Sequence, residues 1–184
     1  MAAKSNLKNL ALSLTLVCLV CSALLGVVYS LTAEPIRRAE EAKVAASIAR
    51  VLPEGTGQPE LESVIVEENA YSYYRVPGAG FAVISTVGGF GGPLSLMVGI
   101  GTDGKVVNTV VLSHSETPGL GAKCATDELF IDQFQGWDPA VKRLSVIKDG
   151  GDVDAITAST ITSRAYAKAV ENAVKVYSKL MENE

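Results

Sequence analysis

His114-Ser115-Glu116-Thr117-Pro118-Gly119-Leu120-Gly121-Ala122-Lys123 follows the strand-like run Val106 to Leu112. The change is from β-branched residues to a bend that Pro118, Gly119 and Gly121 fix tightly. Such a bend lets the backbone approach a ligand closely. Leu120 projects between two glycines, and two readings stay open for it: ordinary core packing, or contact with a bound group. Glu116 reads either as a solvated carboxylate or as a group that orients the loop. Lys123 is either solvated or set to neutralise a phosphate. His114 is the only histidine. It builds no His-cluster metal site and no Ser-His-Asp set, and its simplest role is to hydrogen-bond the turn after the strand.

Upstream, further runs rich in Val, Ile and Tyr predict strands at 63–67, 71–76, 81–86 and 94–100, besides 106–112. Thr102-Asp103-Gly104-Lys105 is a hairpin turn joining the last two. Gly88-Gly89-Phe90-Gly91-Gly92-Pro93 is not a P-loop, because no Lys-Ser/Thr follows. It reads as a loose connection, or as a loop that brings backbone to a ligand or a neighbouring subunit.

Downstream, a short helix is predicted over 127–133 and a short strand over 144–147. Then comes Asp154-Ala155-Ile156-Thr157-Ala158-Ser159-Thr160-Ile161-Thr162-Ser163-Arg164-Ala165. Five hydroxyl residues fall within seven positions, just before a helical pattern from about Thr162 to Leu180. A helix N-terminus offers unpaired N–H groups and a positive dipole end, which suits a phosphate. A plain helix cap is the other reading, but it needs one hydroxyl.

The chain has 184 residues and a net charge of −4, which argues against nucleic acid as partner. No charged residue occurs from Asn9 to Ala33. As a helix this run is roughly 37 Å long, beyond the ~30 Å hydrocarbon core of a bilayer. Secretory apolar cores are shorter, at about 7–15 residues, and Leu31 and Ala33 make a poor cleavage site. An uncleaved transmembrane helix is therefore expected. Lys4 and Lys8 on one side nearly balance Arg37, Arg38 and Lys43, which Glu34, Glu40 and Glu41 dilute, so charge alone leaves the orientation open. Beyond Pro35 the helical period resumes from Ile36 to Leu52, with Pro35 either opening a new helix or kinking a continuous one. Cys18 and Cys21 share a helix face and read as packing residues, with iron–sulfur ligation shared with a partner's thiolates as the other reading.

The His114–Gly121 segment and the Asp154–Ser163 block together resemble the RnfG/NqrC family of FMN-binding subunits in membrane redox complexes. The resemblance runs from the membrane segment to the last helix. Ala158 stands where the family usually has Gly, and Ser159 where it usually has Ala. The resemblance implies an α+β fold: an N-terminal transmembrane helix, then a mainly antiparallel-sheet FMN-binding domain with flanking helices. It divides the chain into a cytoplasmic tail (1–8), a transmembrane helix (9–33), a membrane-proximal helix and linker (34–59) and the FMN-binding domain (60–184). It implies covalent FMN on Thr160 through a phosphoester, with Ser159 as the rival hydroxyl. The cofactor would rest on Glu116, Thr117, Gly119, Leu120, Gly121, Lys123, Thr157, Ala158, Ser159, Thr162 and Ser163, with an isoalloxazine face against Leu120. Asp154 would belong to the motif read by a flavin transferase, which takes FMN from FAD and releases AMP.

The expected role is an electron-transfer subunit of an ion-translocating ferredoxin:NAD+ oxidoreductase, with no complete active site of its own. The other subunits of an Rnf-type complex would be its partners. The domain would lie outside the cytoplasmic membrane of a prokaryote. An NqrC-like subunit of a quinone-reducing relative, a free-standing FMN carrier and a cofactor-free scaffold are the alternatives.

Overall fold

The computed structural model describes residues 7–182. The predicted cytoplasmic tail lies outside the described residues over 1–6. Two compact units divide between Val44 and Ala45.

The first unit is helical. Helix α1 is assigned from Leu7 to Val51 and contains Pro35. Every Leu, Val and Tyr side chain from Leu10 to Leu31 is at least 49% exposed. A helix apolar on all sides that the rest of the described chain leaves unburied suits a lipid surround. Among the described residues it is the one helix long and apolar enough to cross a membrane. Of the two readings of Pro35, the structure takes the continuous helix. The ring removes one hydrogen bond, to the carbonyl of Leu31. Good helix formers flank it, and Arg37 pairs with Glu34 at 2.9 Å and with Glu41 at 2.7 Å.

The second unit is a five-stranded sheet in the order β1-β2-β3-β4-β5, antiparallel throughout. The strands are β1 (Glu60–Val66), β2 (Asn69–Val76), β3 (Gly80–Gly88), β4 (Pro93–Gly101) and β5 (Val106–His114). Each runs one to three residues past a predicted end, because hydrogen bonding to neighbours carries a strand into its turn. Helix α2 (Glu128–Asp132) and the 23-residue helix α3 (Thr160–Glu182) follow. The strand predicted over 144–147 does not form. Val146 makes an isolated bridge with Val153, and a 3-10 turn takes Ile147–Asp149. Val146 is buried without a sheet edge to join.

One face of the sheet carries Tyr73, Phe81, Val83, Leu94, Leu96, Val98, Ile100 and Val106, packed against α3 in a single core. The α3 residues Ala165, Tyr166, Ala169, Val170, Ala173, Val176 and Leu180 repeat every three or four positions and are all buried. Three alanines in that stripe let the helix sit close to the sheet. Phe130, Phe134, Trp137 and Tyr166 form an aromatic cluster beside it. Tyr166 shares a 2.7 Å hydroxyl hydrogen bond with Thr109. Ala82, Met97 and Gly99 are buried on the opposite face. Residues 45–52, the end of the expected membrane-proximal helix and its exit, cover it: Ile48, Val51 and Leu52 are buried, and the Asn108 side chain donates to the Arg50 carbonyl at 3.0 Å.

Burial sets the alkaline limit of this core. The Cys124 thiol is pushed from its ordinary 9.0 up to about 11 by burial, with the Glu116 carboxylate adding to it. Burial likewise pushes the Tyr166 hydroxyl well above its ordinary 10.0. Both groups hold their protons more tightly folded than unfolded. Their contribution is intact below the unfolded values and is lost as pH rises, at up to about 1.4 kcal/mol per pH unit for each group. Denaturant midpoints measured from pH 8 upward should therefore fall above pH 9, and Cys124→Ala should flatten the first part of that fall. An equally steep fall in the variant would place the titration elsewhere.

Candidate functional site

Three segments meet at the end of the sheet where β3, β4 and β5 turn. They are the glycine-rich loop after β3, the bend after β5 and the N-terminus of α3. A β-bulge at Leu112 in β5 shifts the register, so that Ser113 and His114 pair with Ser95 and Leu94. His114 Nδ1 then accepts the Glu116 backbone N–H at 3.2 Å, the turn-holding role its isolation implied.

Glu116 joins all three segments. It is only 5% exposed. Its Oε1 accepts the Phe90 backbone N–H and its Oε2 the Thr162 hydroxyl, each at 2.8 Å. The reading of Glu116 as an orienting group therefore holds over the solvated one. A Cβ on Gly89 would lie 2.0 Å from Oε1, and one on Gly121 would lie 2.5 Å from Oε2. Both glycines let backbone close over a buried carboxylate. The glycine-rich loop is consequently a packed turn, closed by Gly89 N–H to the Gly92 carbonyl at 2.8 Å, and the loose reading of it fails.

Between these segments lies a cleft of about 350 Å3 lined by Phe90, Glu116, Thr117, Leu120, Gly121 and residues 158–162. That volume is within the range of small-ligand sites. Its rim is apolar: Phe90, Leu120 and Ile161 are 67%, 46% and 50% exposed. Leu120 is thus at the cleft and not in the core. The first turn of α3, which carries Ile161, forms one wall of the cleft. Ser159 occupies the cap position, its carbonyl accepting the Ser163 backbone N–H and hydroxyl, each at 3.0 Å. Its own hydroxyl is buried and has no hydrogen-bond partner among the described residues. It does not cap the helix, so the N–H groups of Thr160, Ile161 and Thr162 are open to an anion. Thr160 is half-buried on the cleft wall.

Of the residues picked from sequence, Glu116, Thr117, Leu120, Gly121, Ala158, Ser159, Thr160 and Thr162 converge on this cleft. Gly119, Lys123, Thr157 and Ser163 do not line it. Ser163 is buried one helical turn on, where its hydroxyl accepts the Ile156 N–H at 2.9 Å and braces the loop. Phe90 and Ile161 are the lining residues that sequence reasoning missed. An aromatic residue between four glycines was the available signal for Phe90. Cys18 and Cys21 are exposed on α1.

Ala158 adopts φ of +61°, in the left-handed region that costs an L-residue roughly 1–2 kcal/mol. A Gly there relieves this but frees the unfolded chain by about 0.5–1 kcal/mol. Ala158→Gly should stabilise the fold by about 1 kcal/mol or less in denaturant unfolding, and a clear loss of stability would contradict the strained geometry.

Comparisons with known proteins agree with this geometry. Residues 89–175 match the FMN-binding domain family, which takes in the whole cleft, and residues 1–51 match the RnfG N-terminal region. The chain is 33% identical over 179 residues to the G subunit of the ion-translocating oxidoreductase complex of Shewanella baltica (strain OS223), covering 88% of this chain and 84% of that one. It is 30% identical over 167 residues to the G subunit of the proton-translocating ferredoxin:NAD(+) oxidoreductase complex of Clostridium ljungdahlii, covering 89% and 87%. In fold it is similar to the C subunit of the Na(+)-translocating NADH-quinone reductase from Parabacteroides distasonis, with a TM-score of 0.53 at 20% identity over 75% of this chain and 82% of that one. An α+β domain whose cleft falls inside the FMN-binding match, behind an apolar helix inside the N-terminal match, places the chain in the RnfG family, the G subunits of ion-translocating oxidoreductase complexes.

Proposed function

We propose that this chain is the FMN-carrying electron-transfer subunit of an ion-translocating ferredoxin:NAD+ oxidoreductase complex of the Rnf type. It would be anchored by the apolar stretch of α1, with FMN esterified to Thr160. The observation that carries the reading is the cleft itself: an apolar rim of Phe90, Leu120 and Ile161 beside a helix N-terminus that no side chain caps among the described residues. The residues present fit the cofactor. The first-turn N–H groups of α3 suit a phosphate, and Leu120, Thr117 and Ile161 suit a flat ring with a polar tail. When bound, FMN supplies one- and two-electron transfer; the chain supplies position and water exclusion.

Attachment is a group transfer. The Thr160 hydroxyl oxygen forms the new bond to the FMN phosphorus, the pyrophosphate bond of FAD breaks, and AMP leaves with the hydroxyl proton released to solvent. A flavin transferase would read Asp154, whose backbone is clamped by Gln133 at 2.8 and 3.1 Å and whose side chain faces outward. Ser163 would brace the loop before α3, while Gly119, Lys123 and Thr157 are exposed outside the lining and would meet the cofactor only from its solvent side. The domain would lie on the extracytoplasmic side, and Cys18 and Cys21 would pack against partner helices.

Chain purified from native membranes should run as a flavin-fluorescent band on denaturing electrophoresis and co-purify with iron–sulfur and multi-span subunits. Protease added to spheroplasts should remove the domain. A non-fluorescent band from cells that make the transferase would overturn the flavin reading. Full protection in spheroplasts would overturn the sidedness.

A further inference from the structure

We infer that Phe90 is the second wall of the isoalloxazine site, opposite Leu120, and that Glu116 is the positioning residue that sets both walls before the cofactor arrives. The inference rests on the flavin reading above and goes beyond it in naming what holds the ring.

Phe90 is 67% exposed, yet its backbone is held in place on both sides. Its N–H is held by the Glu116 carboxylate at 2.8 Å, and the turn around it closes from Gly89 to Gly92 at 2.8 Å. On its other side, a Cβ at Gly91 would sit 2.1 Å from the Ser115 carbonyl oxygen. A fixed backbone that leaves a large apolar ring in solvent is not building a core. Leu120 presents the matching case on the facing segment: 46% exposed, and adjacent to Gly121, whose close approach to the same carboxylate fixes the bend. Both side chains line the cleft that the first turn of α3 also walls. Two apolar walls beside an anion-suited helix start match a planar ring joined to a phosphate. The carboxylate that ties loop, bend and helix together is buried, so the spacing of the walls is set by hydrogen bonds and not by the cofactor.

The test uses the full-length chain in membranes, made together with the flavin transferase. Phe90→Trp should carry the same covalent FMN per chain as the native protein. Its flavin emission should fall several-fold, because an indole in contact with the ring donates an electron to the excited flavin. Adding Glu116→Ala to Phe90→Trp should restore most of the emission with FMN retained, and Glu116→Gln in its place should keep the quenching. A general loss of stability would not produce that pattern. Unchanged emission in Phe90→Trp at full FMN content would overturn the role of Phe90. Quenching that persists in the Glu116→Ala double variant would overturn the role of Glu116. Native protein without covalent flavin would defeat the flavin reading itself, which separates the two failures.

Discussion

Thr160→Val, made alongside the flavin transferase, is expected to fold, reach the membrane and carry no covalent flavin. Ser159→Ala is expected to keep it. The two hydroxyls are neighbours in sequence but differ in access. Thr160 is half-buried on the cleft wall, whereas the Ser159 hydroxyl is enclosed and unpaired among the described residues. A transferase must bring a flavin pyrophosphate to the oxygen it modifies, so an enclosed oxygen is out of reach without unwinding the helix start. Valine matches threonine in shape and removes only the nucleophile. Among the described residues the Thr160 hydroxyl makes no side-chain hydrogen bond to another segment, so stability should move by about 0.5 kcal/mol or less. Ser159→Ala removes a buried hydroxyl that nothing satisfies and should, if anything, stabilise the flavin-free chain by about 1 kcal/mol. Peptide mapping of native protein should find the FMN mass on Thr160. Covalent flavin persisting in Thr160→Val would move the attachment to a neighbour.

Gly91→Ala and Gly88→Ala should separate sharply, although Gly88 ends β3 only three residues before Gly91 in the same glycine-rich stretch. A Cβ at Gly91 would meet the Ser115 carbonyl oxygen at 2.1 Å and the Glu116 Cα at 3.2 Å. Those are backbone atoms of a bend that cannot turn aside, so the loop must lift and Phe90 must leave the Glu116 carboxylate. Overpacking of this kind costs about 1–3 kcal/mol, and the stranded hydrogen-bonding groups add to it. At Gly88 nothing lies within 4 Å. Alanine there should be neutral, or stabilising by a few tenths of a kcal/mol through the unfolded chain. Denaturant midpoints of the two variants decide the matter. Equal midpoints would mean the loop is slack and does not rest on the bend.

The membrane helix, the five strands and the last helix were legible in the sequence because each rests on a local pattern. These patterns are an uncharged apolar run from Asn9 to Ala33, β-branched stretches between turn residues, and a three-to-four residue apolar repeat after Thr162. The hydroxyl block and the Pro-Gly bend marked two of the three site segments for the same reason. The third was not legible as such. Four glycines around Phe90 left two readings open, a loose connection or a loop that brings backbone to a ligand or a neighbouring subunit, since glycine confers flexibility when nothing is near it and close approach when something is. Only the folded chain shows Gly89 and Gly121 closing over the Glu116 carboxylate from opposite sides. Glu116 itself was ambiguous because the burial of a carboxylate depends on Phe90 and Thr162, 26 and 46 residues away in sequence. The ambiguity between Ser159 and Thr160 had the same origin: composition gives both a hydroxyl, while access depends on which way the first turn of α3 faces. Val146 is the opposite case, a strand-like run that is buried but pairs only through a single bridge to Val153 and joins no strand of the sheet.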